Sequence, residues 1–203
     1  MSQLKPKETK AYLYNISYEP GFLHEFFHVP MEAITKLNTF YPRLEKDAAA
    51  CIPELIELCG QYPALPQFKN MLGVAYHYSG NTAKAGEINN LIISEHPDYL
   101  FAKINKAYEY LALKQPEKVR ALLGEWMEIK ELYPERDIFH VAEVLAFYKL
   151  AFHYYMALGN ADAARSQLQV METVDPDHPD TIAVRQKVLH AAFTFAKPAK
   201  RKK

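Results

Sequence analysis

Glycine and cysteine are both scarce in this chain, with seven glycines and two cysteines among 203 residues. The sequence contains no glycine-rich phosphate loop and no Gly-x-Ser-x-Gly nucleophile elbow, so it has no motif for nucleotide binding or for serine hydrolysis. Cys51 and Cys59 form no Cys-x-x-Cys pair, which argues against a zinc ribbon and against a redox motif. We interpret both as small apolar residues of a protein in a reducing compartment.

The chain also lacks an excess of charge of one sign and any long apolar run. It has 24 Lys and Arg against 24 Asp and Glu, so no global field attracts nucleic acid or an anionic membrane. No run approaches the roughly 18 apolar residues of a membrane span, and the N-terminus has no apolar signal segment. These absences predict a cytoplasmic protein without membrane contact. The basic run 197–203 is predicted to be a disordered tail, with nucleic-acid binding as its alternative role.

Two stretches of the chain share one spacing of residues. Within residues 66–99, Tyr76 follows Gly73 by three positions and Ala85 follows Gly73 by twelve. Pro97 then follows Ala85 by another twelve. Within residues 145–178, the same intervals relate Phe152, Tyr155, Ala164 and Pro176, and Gly159 stands where Gly80 stands in the first stretch. The glycines are expected to adopt left-handed C-caps, and Asn81 and Asn160 to cap the helices that follow.

This spacing resembles the tetratricopeptide repeat (TPR), a helix-turn-helix of about 34 residues. The resemblance implies an all-α, right-handed α-solenoid of about three clear helix hairpins, with a degenerate helical region before them and a capping helix after them. In such a hairpin Gly73 and Ala85 let two helices approach closely, and Tyr76 fills the wedge between them. The predicted parts are an extended or disordered segment 1–20, a degenerate region 21–65, repeats 66–178, a capping helix 179–196 and the tail 197–203.

The less regular parts of the chain carry their own predictions. Helices are expected over residues 22–29, 31–41 and 43–61, with a break at Pro42 and a kink near Pro53, and a short strand-like segment over 11–18. The middle repeat keeps Ala107, Tyr110 and Val119 in register. However, Gly159 follows Lys114 by 45 residues where 34 are expected. Because 11 residues make about three helical turns, we predict lengthened helices here and not an added loop.

In this family the first helix of each pair lines a concave groove that holds a peptide or a partner helix. Carried over to this chain, the candidate partner-binding residues are Asn70, Val74, His77, Tyr78, Phe101, Asn105, Tyr108, Lys149 and His153. Ala146 and Leu150 stand where the subclass that clamps acidic chaperone C-termini has lysine and arginine, so that clamp is not predicted. The resemblance implies a scaffold or adaptor for a protein or peptide partner, with no catalytic residue, no metal, no cofactor and no small-molecule substrate. Ordinary surface or inter-repeat packing is the alternative role for each candidate residue.

One motif points to a different function. His24, Glu25 and His28 match His-Glu-x-x-His, the zinc metallopeptidase signature, in which two histidines one helical turn apart bind the metal and the glutamate acts as a general base. Gly21 and Pro30 leave room for only a short helix, and no motif selects a third ligand. We therefore predict that this segment is an aromatic helix face that docks on the first repeat, and keep a zinc-dependent peptidase as the alternative function.

Overall fold

A computed structural model describes residues 13–195 of the chain, except for the side chains of residues 24, 26 and 190–195. The described part is mostly helical, as predicted. Its elements in chain order are β1 (Asn15–Ser17), α1 (Phe22–Phe26), α2 (Met31–Gln61), α3 (Pro66–Tyr78), α4 (Thr82–Glu95), α5 (Leu100–Ala112), α6 (Pro116–Leu123), α7 (Ile129–Leu132), β2 (Ile138–His140), α8 (Val141–Ala157), α9 (Ala161–Val174) and α10 (Pro179–Phe195). β1 and β2 pair in parallel, with Ile16 opposite Phe139. The predicted tail 197–203 and the first twelve residues lie outside the described residues.

The element α2 consists of two helices that fold back on each other. Asp47 has non-helical backbone angles (φ −154°, ψ 84°) and separates residues 31–46 from residues 48–61. The Lys36 ammonium lies 3.4 Å from the Tyr62 hydroxyl, and Arg43 pairs with Glu54 at 2.8 Å, contacts that need the two helices to run antiparallel. The Asp47 carboxylate accepts a hydrogen bond from the Ala50 N–H and so caps the second helix.

The predicted break at Pro42 and the kink near Pro53 are therefore wrong. Both prolines lie inside helical segments, at exposed positions. A proline removes one backbone donor, whereas Asp47 supplies an acceptor for the free N–H groups at a helix start, and the chain breaks where that acceptor stands.

One type of turn joins the two helices in each of the next three hairpins. Gly80, Lys114 and Gly159 all have positive φ, at 87°, 58° and 70°. Each donates its N–H, at 3.0 Å, to the carbonyl three residues earlier, and the following residue donates to the carbonyl five residues before it. Asn81 and Asn160 then cap α4 and α9 through their side-chain oxygens. The predicted left-handed glycines and asparagine caps are confirmed.

The C-terminal end of the second helix is also similar from one hairpin to the next. The C-cap of each second helix directly precedes a proline, and these caps are Tyr62, His96, Tyr133 and Asp175. The capping residues Asp47 and Asn81 are 34 positions apart, as are Gly80 and Lys114. The register of the repeat thus extends upstream into α2, within the region 21–65 that was predicted to be degenerate.

The 11 extra residues before Gly159 do not simply lengthen helices, which corrects the sequence-based prediction. α8 has 17 residues against 13 in α5, which accounts for four. The other seven interrupt the second helix at 124–128 and insert the β2 segment after Tyr133. At the interruption Gly124 has φ 92°, and the Glu131 carboxylate accepts the N–H groups of Glu125 and Trp126 in the space that a Cβ on Gly124 would occupy.

The helices α3 and α4 pack on each other at Gly73 and Ala85, the small residues that were predicted to lie between them. A Cβ added to Gly73 would lie 3.5 Å from the Ile88 side chain and 3.9 Å from the Ala85 carbonyl oxygen of the facing helix. α8 is the most buried helix of the larger core, which also includes residues of α5, α6, α9 and α10. Consecutive helices pack on one another from α2 to α6 and from α8 to α10, and α5 packs directly on α8.

The segment 13–29 runs along the ends of the hairpins and is anchored by aromatic contacts. The Tyr18 hydroxyl donates to the Val174 carbonyl at 2.8 Å, and the Phe27 ring packs edge-on against Tyr99 with centroids 5.3 Å apart. The Tyr14 and Tyr148 hydroxyls lie 3.2 Å apart. The first residues of the described chain therefore touch α9, α8 and the residue that precedes α5.

A buried ion pair holds β2 at the start of α8. Glu143 is fully buried, and the Arg136 guanidinium donates to its two carboxylate oxygens at 2.9 and 2.5 Å. Arg136 also donates to the Ile138 carbonyl, and the His140 N–H donates to Glu143. The pair thus satisfies backbone groups of β2 that face away from β1.

We expect Lys114→Gly to raise the free energy of unfolding by about 0.5–1 kcal/mol, because a left-handed conformation strains any residue with a Cβ. Gly80→Ala, at the equivalent position, should lower it by about 1 kcal/mol. Urea unfolding measures both. A control, Glu87→Gly in the exposed middle of α4, should lower the free energy of unfolding by about 1 kcal/mol. The assigned turn is wrong if Lys114→Gly is as destabilising as this control.

We expect Glu143→Gln to lower the free energy of unfolding by about 3 kcal/mol or more, because it leaves the Arg136 charge buried without its partner. The matched control is Asp162→Asn, which removes an exposed pair with Arg165 and should change stability by less than about 1 kcal/mol. Thermal or urea unfolding compares the two. Equal effects would contradict the role assigned to the buried pair.

Candidate functional site

Two of the predicted partner-binding residues contact each other across neighbouring first helices. Asn105 on α5 donates a side-chain N–H to the Asn70 amide oxygen on α3 at 2.9 Å, and both residues are half-buried. The amide pair leaves the Asn105 oxygen and the Asn70 amide nitrogen without a partner among the described residues. Asn105 therefore keeps an acceptor and Asn70 keeps a donor, the two kinds of group that can bond a peptide backbone.

A second group of predicted residues lies where α5 faces α8. The Tyr108 and His153 rings have centroids 5.9 Å apart, and the two residues occupy equivalent positions of successive repeats, six residues before the left-handed turn residue. Lys149 lies one turn before His153 on the same helix. Its ammonium pairs with Asp180 of α10 at 2.5 Å.

The remaining candidates differ in their surroundings. His77 and Tyr78 are exposed at the end of α3, with ring centroids 5.9 Å apart, and Tyr78 is 65% exposed. Val74 is half-buried. Phe101 packs against a small apolar cluster with Tyr99 and so has the packing role that was its alternative.

Two residues of α10 join this site and were missed by the sequence analysis. Asp180 pairs with Lys149, and the Lys187 ammonium lies 3.4 Å from His153 Nε2. Lys187 follows His153 by 34 positions, so α10 continues the register of the repeat as a further first helix. That interval is the feature of the sequence that indicates a first-helix role for α10. The sequence-based prediction assigned residues 179–196 only as a capping helix.

Burial and two lysines control the charge of this cluster. Burial lowers the pKa of His153 to about 4, and Lys187 and Lys149 contribute to the shift. His153 is therefore neutral at pH 7, and its Nε2 accepts from Lys187. Burial also raises the pKa of Tyr108, with a contribution from the Asp180 charge. The Tyr108 hydroxyl is buried and has no hydrogen-bond partner among the described residues, an arrangement that costs about 1–3 kcal/mol.

The His-Glu-x-x-His segment lacks the continuous helix that a zinc site of this type needs. α1 ends at Phe26, and His28 lies beyond it with φ 52°, so the predicted helix over 22–29 is too long. The side chain of His24 lies outside the described residues. Among the side chains that the structure describes, no three from His, Cys, Asp and Glu come together in a way that could hold a metal ion.

Comparisons with known proteins identify no relative. No protein-family model, no curated protein and no solved structure matches the chain. Within the described residues, no helix combines the length and apolar character that crossing a membrane requires. Support for a function therefore comes from the repeat and from the contacts of this chain.

We expect the His153 imidazole to titrate near pH 4, measured by its NMR chemical shift between pH 3 and pH 8. Because the unfolded chain binds this proton near its ordinary pKa of about 6.5 and the folded chain does not, stability should fall as pH falls from about 6.5 to about 4. Lys187→Met should raise the pKa of His153. A His153 that titrates near 6.5 in the folded protein would contradict the assigned environment.

Proposed function

We propose that this chain is a TPR-type, right-handed helical solenoid that acts as a scaffold or adaptor, binding a segment of a partner protein along its first helices. The turn geometry shared by Gly80, Lys114 and Gly159 supports this proposal, because the same turn in each hairpin sets the same angle between its two helices. The extension of the register into α2 and α10 supports it further. Each first helix then contributes to one continuous face.

The observation that carries the binding function is the Asn70–Asn105 amide pair. Each side-chain amide makes one hydrogen bond, which fixes its position and leaves it further bonding capacity. The free acceptor can then bond an N–H of an extended chain, and the free donor can bond a C=O. Tyr78 and Tyr108 lie on α3 and α5, the same helices, and aromatic side chains of this kind are enriched in protein interfaces. Exposure of Tyr78 at 65% leaves its ring free for such a contact.

The proposal assigns the chain no catalytic role, cofactor or small-molecule substrate. α1 has five residues, and His28 lies outside it in a left-handed conformation, so the helical spacing that places two histidines on one metal is interrupted. We assign this segment to packing, since Phe27 contacts Tyr99 and Val29 is buried beside α2. A localisation in the cytoplasm is part of the same proposal.

We expect Asn105→Ala and Tyr108→Ala to reduce partner capture at least about fivefold, since each removes a contact worth about 1 kcal/mol or more. Capture is measured by affinity purification from extract of the native cell with quantitative mass spectrometry. Asn90→Ala and Leu91→Ala are the controls, because both residues are exposed on α4, which is a second helix.

Unfolding curves identify any variant whose stability, and not its binding face, has changed. Captured proteins that are retained equally by Asn105→Ala and Asn90→Ala would place the binding surface elsewhere. Capture lost with Asn90→Ala or Leu91→Ala would point to the second helices.

A further inference from the structure

The helix α10 stands in the register of a first helix, but no second helix follows it within the part of the chain that the structure describes. Three positions of α3 show how a first helix meets the second helix of its own hairpin. The Lys69 ammonium pairs with Glu95 of α4 at 2.5 Å. Gly73 faces α4 closely, and the Tyr76 ring has the Lys84 ammonium of α4 at 5.2 Å from its centre. We call these three positions the hairpin face of a first helix.

The hairpin face is covered in each of the three hairpins that share the left-handed turn, where it lies eleven, seven and four positions before the turn residue. Its residues are Lys69, Gly73 and Tyr76 on α3, Lys103, Ala107 and Tyr110 on α5, Tyr148, Phe152 and Tyr155 on α8 and, 34 positions later, Ile182, Gln186 and Leu189 on α10. All nine residues on α3, α5 and α8 are buried or half-buried, whereas all three on α10 are exposed. Ile182 is 37% exposed and Leu189 is 52% exposed. The helix α10 therefore presents to solvent a partly apolar face that the other three helices cover.

The residues that follow α10 in the sequence do not suit this face. Residues 196–203 consist of two alanines, one proline and five Lys or Arg, without a large apolar side chain. The second helix α9, by contrast, contributes the buried side chains of Leu168 and Met171 to the core that it shares with α8. Residues 196–203 therefore do not supply the missing cover of α10.

A second copy of α10 fits the hairpin face by symmetry. The two helices of each hairpin are antiparallel, because a short turn joins them. A twofold axis perpendicular to a helix also makes its two copies antiparallel. Such an axis near Gln186 places Ile182 of one copy against Leu189 of the other, because these two residues lie about one turn away on either side of Gln186.

The polar groups around the hairpin face of α10 are compatible with a twofold contact. The Gln186 amide has both donors and an acceptor, so two copies of it can bond each other near the axis. Arg185 is paired with Glu172 of α9 at 2.7 Å, and the Lys187 ammonium lies 3.4 Å from His153 of α8. Neither cation therefore places an unpaired charge on the hairpin face.

We propose that the hairpin face of α10 is covered by α10 of a second copy of this chain, which makes the protein a twofold-symmetric dimer. Each α10 takes the place of the second helix that the other lacks. The contact removes the apolar surface of Ile182 and Leu189 from water in both copies. These residues are not among the predicted partner-binding residues, so this inference goes beyond the proposed function and can fail without it.

Sedimentation equilibrium of the full chain between about 5 μM and about 1 mM measures the dimer. We expect a Kd of about 10–100 μM, because one helix from each copy makes a small interface. Ile182→Glu and Leu189→Glu should each raise this Kd at least about tenfold, since each places a carboxylate against an apolar side chain. Leu91→Glu, the same substitution at an exposed leucine of α4, should leave the Kd unchanged.

A pair of oppositely charged variants tests the contact itself. One chain carries Ile182→Glu and Leu189→Glu, and the other carries Ile182→Lys and Leu189→Lys. Each variant should be monomeric alone, whereas their equimolar mixture should form a heterodimer, because opposite charges meet across the axis. A heterodimer would also show that both variants are folded.

A wild-type chain that stays monomeric at about 1 mM would overturn this inference, and so would a dimer that Leu189→Glu leaves intact. A mixture of the two charged variants that forms no heterodimer would overturn the pairing of α10 with α10. None of these results changes the capture of a partner through Asn105, which tests the proposed function separately.

Discussion

Reversal of the chain at a single left-handed residue is the constraint on which the rest of this structure depends. At Gly80, Lys114 and Gly159 the backbone leaves one helix, satisfies its last carbonyls and enters the next helix within about two residues. A loop so short fixes the angle between the paired helices. At Gly73 the facing helix lies at a distance that would put an added Cβ in ordinary van der Waals contact. The interval between these turns is 34 residues in one case and 45 in the other, and α5 nevertheless packs directly on α8, and α8 on α10.

The interruption in the middle of the chain is absorbed without loss of this face. The second helix breaks at Gly124, resumes for one turn as α7 and ends before Pro134, as the other second helices end before their prolines. The additional residues form β2, whose outward backbone groups are satisfied by Arg136 and Glu143 and whose inner edge pairs with β1. A buried ion pair is a costly way to fill a core, and its use here is consistent with fixing one conformation of an inserted segment.

The candidate binding face differs from the core in being polar and only half covered. Its amide pair leaves an acceptor and a donor without partners among the described residues, and the buried Tyr108 hydroxyl has none there either. Polar groups held in this state lose part of their hydration without gaining full partners, so a ligand that completes their hydrogen bonds is favoured. Val29 and Phe101 pack against apolar clusters of the core.

The sequence by itself determined the helical hairpins, their left-handed turns and their asparagine caps, because these depend on residues within a few positions of one another. Its resemblance to a repeat family also indicated Asn70, Asn105, Tyr108, Lys149 and His153 as candidate groove residues. Only the tertiary structure decided that the chain folds back at Asp47 and not at Pro42, and that Lys187 of α10 reaches His153. The contact of Lys187 depends on helix packing between segments distant in sequence. At Asp47 an aspartate that caps the next helix outweighed the backbone donor lost at each proline, a balance of energies that residue spacing does not express.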